Sequence, residues 1–225
     1  MNHGLHIRQT GRDRMLNDKT RSDWLNIHNR AARDYIHGEW FREVLLGVRR
    51  QRRKLLAQAT GDVLDVGCGY GINFPYLTHA ASISGIDFSA VMLSEARQRM
   101  SKTTIKVDLR EGDAEALPFP DDSFDTVIST LATCSFYDPI QALREIRRVC
   151  KPGGKILLIE HGRSGVAWIG RYQDRHAHEQ IESGGCRWNQ EPQELVNAAG
   201  LKILHTERKL LGILHTMVVS TEKDK

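Results

Sequence analysis

The sequence predicts an α/β fold in which a mostly parallel sheet is covered by helices on both faces. Three observations predict it. From about Asp62 onward, short runs rich in Val, Ile and Leu alternate with helical patterns, and strands that alternate with helices build a parallel sheet. The first of these runs passes directly into a glycine-rich turn, Val63-Leu-Asp-Val-Gly67-Cys-Gly69-Tyr-Gly71. The chain has 225 residues, enough to bury roughly 70% of the surface exposed when unfolded, so a core can form without disulfides or a structural metal.

Each element follows in order. Strands are expected at Val63–Val66, Ser82–Asp87, Ile105–Glu111, Thr126–Thr130, Lys155–Glu160, Lys202–Glu207 and His215–Thr221. Helices are expected at Ile72–His79, Ser89–Ser101 and Pro139–Cys150. The last is closed by Lys151-Pro152-Gly153-Gly154, where proline cannot continue a helix and glycine supplies the turn. The link from His161 to Glu191 is long for a compact domain, which suggests a lid over the acceptor. Upstream, Glu39–Ala59 places Phe41, Val44, Leu45, Val48, Leu55 and Leu56 at helical spacing beside Arg42, Arg49, Arg50, Arg53 and Lys54, an amphipathic basic helix. Two units are therefore expected: a helical cap over 1–59 and a ligand-binding domain over 60–225. The first dozen residues are expected to be mobile.

Charge is distributed unevenly. The whole chain carries +4, with 32 Lys+Arg against 28 Asp+Glu, while residues 1–60 hold 13 basic and 6 acidic side chains. The basic helix reads either as a solvated face or as a surface for anionic lipid, a peripheral membrane contact. Nucleic acid is disfavoured, because no aromatics interleave with the basic run. The four cysteines, Cys68, Cys134, Cys150 and Cys186, form no C-x-x-C pair, so neither a zinc finger nor a disulfide scaffold is expected, and no metal site is expected elsewhere. No stretch is long and apolar enough for a membrane span, and the N-terminus lacks the apolar core of a secretory signal. A cytoplasmic protein is expected.

The glycine turn carries the strongest chemical signal. It lets a ligand approach the backbone and offers N–H donors to it. A P-loop would need Lys followed by Ser or Thr, which are absent here, and the dinucleotide pattern G-x-G-x-x-G fails because Ile72 stands where its third glycine belongs. Asp65, two residues before Gly67, would repel a pyrophosphate and attract an ammonium. S-adenosylmethionine carries one. Asp87 ends the second strand 20 residues after Gly67 and can accept hydrogen bonds from ribose hydroxyls. Asp113, in Gly112-Asp-Ala-Glu-Ala-Leu-Pro-Phe119, can take the adenine amino proton.

The blocks VLDVGCGYG, GIDFS, GDAEALPFPDDSFDTVIS and LREIRRVCKPGGKILLIE cover about residues 60 to 160. They resemble the class I S-adenosylmethionine-dependent methyltransferases of the ubiquinone/menaquinone-methyltransferase type. The resemblance implies a Rossmann-like seven-stranded sheet of order 3-2-1-4-5-7-6 with the last strand antiparallel. It implies a cofactor site made of Asp65, Gly67, Cys68, Gly69, Gly71, Asn73, Asp87, Phe88, Asp113, Ala114 and Thr130. Tyr70 departs from the small residue common at its position. A finer resemblance, carried by Gly71-Ile-Asn73-Phe74, Ser129–Ser135, Glu160-His161-Gly162 and Gly184-Gly185-Cys186, is to the methyltransferase-like alkyl-thiol methyltransferases. Bacterial phospholipid N-methyltransferases are similar through the fifth strand. Ser129-Thr130-Leu131-Ala132 stands where enzymes of this fold that methylate the exocyclic amine of adenine or glutamine side-chain amides carry Asn/Asp-Pro-Pro-Tyr/Phe, so a nucleic-acid or protein-amide acceptor is not expected.

The expected reaction is in-line methyl transfer to a small or lipophilic acceptor, a thiol by preference. A phospholipid headgroup or quinone-type acceptor is the alternative, and a non-catalytic cofactor-binding module is a third. Alignment of nucleophile and methyl dominates such a reaction, and a base matters only where the nucleophile holds a proton. His161, at the end of strand five, is the candidate base; the bland alternative is a histidine bonded to a loop carbonyl. His176 and His178 are weaker candidates. Cys134 and Cys186 are expected to act as small buried hydrophobes. Tyr35, Trp40, Trp168, Tyr172 and Trp188 are candidates for lining an apolar acceptor pocket.

Overall fold

The architecture follows from central strands that are buried over their carboxyl-terminal halves, with the two edge strands more exposed. In a computed structural model, the described residues are 20–38, 43, 47–100 and 104–222. The opening dozen residues, Trp40 and the segment with Phe41, Arg42, Val44 and Leu45 lie outside them. The strands are β1 (Gly61–Val66), β2 (Ala80–Asp87), β3 (Lys106–Glu111), β4 (Phe124–Thr130), β5 (Cys150–His161), β6 (Ile203–Lys209) and β7 (Leu214–Val219). They form one sheet of order β3-β2-β1-β4-β5-β7-β6. β7 runs antiparallel to both neighbours and the other pairings are parallel. The order implied by the resemblance is the order observed.

Alternation along the central strands divides the core in two. Leu64, Val66, Val127, Ile156 and Leu158 face one layer, and Val63, Ile128, Leu157 and Ile159 face the other, as the period of two requires. The first layer is covered by α4 (Pro139–Val149), through Ala142, Leu143, Ile146 and Val149, and by Val196 of α6 (Pro192–Ala198). The second is covered by Val48, Leu55 and Leu56 of α2 (Val48–Leu56) and Leu93 and Ala96 of α3 (Ala90–Met100). α4 starts sharply because Asp138 accepts from the amides of Ile140 (3.1 Å) and Gln141 (3.0 Å) while Pro139 presets the first turn. α1 (Arg21–His37) opens with a Thr20–Asp23 capping box.

Several expected elements differ. Ile72–His79 is not a helix; only Phe74–Tyr76 forms a short 3-10 turn, because Pro75 has no N–H to donate and the backbone closes i to i+3 bonds instead. The link from His161 to Glu191 is not a bare loop, since it contains α5 (Ala167–Gly184), an 18-residue helix that packs against α1. β5 begins at Cys150, before the expected turn, with Gly153 at φ +74°. The basic helix is helical over Val48–Leu56 among the described residues. Arg49, Arg50, Arg53 and Lys54 are exposed as expected, yet Arg52 is buried. Among the described residues no helix is long and apolar enough to cross a membrane.

Candidate active site

The strand order reverses between β1 and β4, and the crevice outside the carboxyl ends of the strands at such a point is where open α/β sheets bind ligands. β1 delivers Asp65 and the glycine turn there, β2 delivers Asp87, and β4 delivers Thr130. The turn is pinned by two amides, Gly67 and Cys68, both donating to the carbonyl of Ile86 (2.9 and 3.1 Å). Gly67 has φ +68°, and a Cβ on it would stand 2.6 Å from the Cβ of Ala132. Gly69 has φ +53° and open space where a Cβ would be, which is the room a ligand needs to approach the backbone.

Two carboxylates frame this opening. Asp87 accepts from the amides of Gly69 (Oδ2, 2.8 Å) and Ser89 (Oδ1, 2.9 Å), yet burial still lifts its carboxyl to about 6. Asp65 is fully buried. Burial pushes its carboxyl up to about 7, against the opposing pull of Asn73, whose amide nitrogen reaches both oxygens (3.0 and 2.9 Å). A buried carboxylate with so little compensating charge favours a cationic partner. The ammonium of an amino acid ligand meets that need at Asp65, and ribose hydroxyls fit the remaining acceptor capacity of Asp87. The residues present therefore fit S-adenosylmethionine, with Asp65, Asp87 and the Gly69 backbone as its expected hold. Cys68, buried beside both acids, is pushed well above the usual thiol range and stays neutral.

Arg52 and Glu43 were not legible as site residues. Arg52 is 1% exposed, forms a bidentate pair with Glu43 through Nη2–Oε1 (2.7 Å) and Nε–Oε2 (3.2 Å), and donates to Thr130 Oγ1 (2.7 Å) and Asn73 Oδ1. Asn73 also donates to Thr130 Oγ1 (3.0 Å). A chain of contacts thus runs from α2 to Asp65, and it fixes the Asn73 amide that holds the carboxylate. The signal was present in the sequence: Arg52 sits four residues after Val48 and three and four before Leu55 and Leu56, on the apolar stripe itself.

The cap helix α1 lies over the same edge. Arg21 pairs with both Asp113 and Glu115, so the carboxylate expected to meet adenine is engaged by the cap. The indole of Trp24 donates to the carbonyl of Ser135, and His28 meets the ring of Phe88 edge-on at 5.1 Å. Ala114 is buried beneath Asp113.

Past Thr130, a short 3-10 turn (Thr133–Ser135) carries Cys134. Cys134 Sγ lies 3.2 Å and Cys186 Sγ 3.3 Å from Nε2 of His161. The structure thus brings together three residues that the sequence reading treated singly, and the two thiols are not isolated hydrophobes. The Cys186 thiol and the His161 imidazole together hold Cys134 well below the usual thiol range. Beside them, burial raises Glu160 to about 8. His176 and His178 are elsewhere, on the outer side of α5, where His176 bonds only the Tyr172 carbonyl (2.9 Å). Of the aromatic residues expected to line an acceptor pocket, Trp40 lies outside the described residues and Tyr35 meets Tyr70 of the glycine turn itself. Trp168 and Tyr172 are exposed, and Trp188 packs on Tyr172.

Comparison with known proteins agrees with this geometry. Residues 64–158 match the family described as a methyltransferase domain. The chain is 28% identical over 221 residues to the mitochondrial methyltransferase OMS1 of Saccharomyces cerevisiae, covering 90% of this chain and 47% of that protein. It is 34% identical over 123 residues to the phosphatidylethanolamine N-methyltransferase of Cereibacter sphaeroides, covering 54% of this chain and 61% of that one. The chain thus spans about half of the length of these curated relatives. Among solved structures, a possible histamine N-methyltransferase from Thermotoga maritima superimposes with a TM-score of 0.66 at 23% identity, over 88% of this chain and all of that one. That likeness shows the shared fold.

Proposed function

We propose that the chain, residues 64–158 of which match a methyltransferase domain, is a class I S-adenosylmethionine-dependent methyltransferase that methylates a small or lipophilic acceptor, an alkyl thiol in the first place. The observation that carries the donor half is Asp65, a buried carboxylate with a raised pKa beside the open Gly69 turn. Bound there, S-adenosylmethionine supplies a methyl on a cationic sulfur, ready for in-line displacement. Asp65 and Asp87 hold and orient the donor, Arg52 keeps Asn73 in place behind Asp65, and α1 limits access of water to the crevice. The acceptor half rests on the Cys134–His161–Cys186 cluster at the ends of β4 and β5. A thiol entering there would meet an imidazole whose pKa is raised, against burial, by Cys134 and Glu160, and that positive ring would favour the ionised form of the incoming sulfur, the thiolate that is the nucleophile.

The test is turnover of labelled S-adenosylmethionine with a panel of alkyl thiols, quinols and phosphatidylethanolamine. Methylation of thiols is expected; turnover with the other acceptors alone would overturn the thiol assignment and leave the donor site standing.

A second reading has its own support, the 34% identity to a phosphatidylethanolamine N-methyltransferase. Exposed Arg49, Arg50, Arg53 and Lys54 on α2 would dock such an enzyme on anionic lipid. It requires vesicle binding that weakens as salt rises.

A further inference from the structure

The cluster at the ends of β4 and β5 has a capacity that methyl transfer alone does not use. We propose that Cys134, His161 and Cys186 bind one soft divalent cation, zinc in the first place, through two thiolates and one imidazole. The inference goes beyond the acceptor reading and does not depend on it.

Geometry carries it. The ligating atoms of the three residues lie within 4.8 Å of one another, with the two sulfurs 3.2 and 3.3 Å from one ring nitrogen. Zinc ligands at about 2.3 Å for sulfur and about 2.0–2.1 Å for nitrogen, arranged tetrahedrally, stand about 3.6 Å (N to S) and about 3.8 Å (S to S) apart. Entry of the ion therefore requires the ring nitrogen to part from each sulfur by a few tenths of an ångström. Three separate elements hold the ligands. Cys134 is buried on its 3-10 turn, with its carbonyl accepting from the Arg187 amide (3.1 Å). His161 ends β5, and its ring also bonds the backbone of Trp188, the kind of second contact that orients ligating histidines. Cys186 follows Gly185, whose left-handed φ of +67° ends α5 and turns the chain back toward the sheet.

The other two thiols provide the contrast. Cys68 and Cys150 are buried singly, each directing its sulfur at a backbone carbonyl. Sequence spacing gave no hint of the site, because the three ligands are 27 and 25 residues apart and meet only through the sheet and the return of α5. Two cysteines and one histidine suit zinc and leave one tetrahedral position for a non-protein ligand. With the ion in place His161 is a ligand rather than a base, and a soft acceptor would enter at that fourth position.

The experiment uses the full chain, reduced and stripped with a chelator, without donor or acceptor. Cobalt(II) titration should give one equivalent of a tetrahedral spectrum with sulfur charge-transfer bands, displaced by zinc. Cys134→Ser, Cys186→Ser and His161→Ala should each weaken zinc binding by more than the roughly 10–100-fold that loss of an outer-shell partner costs, and Cys150→Ala should leave it unchanged. If the variants fail to fold, alkylation of the native protein followed by mass spectrometry gives the same answer: zinc should protect Cys134 and Cys186 and leave Cys68 and Cys150 as they were. The proposal is overturned by absence of uptake, by uptake indifferent to all three substitutions, or by a Cys134–Cys186 disulfide that forms as fast with zinc as without it. None of these results would touch the donor site.

Discussion

Replacing Asp65 by Asn should strengthen the ligand-free protein while crippling its hold on the donor. The Asp65 carboxyl is raised from 3.8 to about 7 by burial, a shift of roughly three units that corresponds to about 4 kcal/mol of penalty on the ionised form. The folded protein retains the proton over a range where the unfolded chain has lost it. Stability therefore falls as pH rises from about 4 to about 7, and the penalty is complete above that. Asparagine carries no charge and can still accept one hydrogen bond from Asn73; allowing about 1–2 kcal/mol for the lost second contact, the variant should gain about 2–3 kcal/mol at pH 7.5. For a chain of this size that is a rise in Tm of roughly 4–10 °C. The advantage should shrink by about 2–3 kcal/mol at pH 5, where native Asp65 is already protonated. Calorimetric titration with S-adenosylmethionine should show the opposite sign. Wild-type affinity should fall about tenfold per pH unit below 7, and Asp65→Asn should lose at least about 30-fold, the cost of removing one partner from a buried charge pair. An Asp65→Asn protein no more stable than wild type at pH 7.5, with unchanged affinity for the donor, would refute the reasoning.

Other substitutions probe other parts. Arg52→Met leaves Glu43 buried and unpaired and should destabilise by about 3–5 kcal/mol; adding Glu43→Gln should recover most of that in a denaturant double-mutant cycle. Arg21→Ala removes a half-exposed pair with Asp113 and leaves buried Glu115 with the Asp138 amide but without its guanidinium partner, so stability should fall by about 1–3 kcal/mol. Donor affinity should rise severalfold in calorimetry, because Asp113 no longer has to be released from the cap. At the β6–β7 hairpin, Leu210 (φ +51°) and Leu211 (φ +58°) occupy left-handed backbone, and leucine pays for that conformation. Leu210→Asn with Leu211→Gly should raise stability by about 1–2 kcal/mol in thermal unfolding.

The glycine turn and the strands around it were legible because their determinants are local. A strand that runs into Gly67-Cys-Gly69 fixes the backbone within a few residues, and Asp65 and Asp87 inherit their places from the strands they close. What escaped the sequence depends on distant partners. Arg52 reads as one more charge in a basic run until Glu43, Asn73 and Thr130 surround it. Cys134, His161 and Cys186 meet because β4 pairs with β5 and the chain leaving α5 returns to the end of β5. α5 itself, with Gly170 inside it and polar residues on most sides, lacks the clean apolar stripe that reveals a surface helix. Pro75 was the overlooked cue that Ile72–His79 could not continue as a helix.

The tight fit of Gly67 against Ala132 locks the loops after β1 and β4 into one rigid unit. Side chains upstream of that contact have little freedom to drift, because any bulk added at Gly67 collides with its neighbour. Phe136, past Thr133, stands over the same glycine, its ring 3.3 Å from where an added Cβ would be. Changes on either side of the short turn after β4 therefore reach the bend that faces the crevice, and the two loops are constrained to vary together.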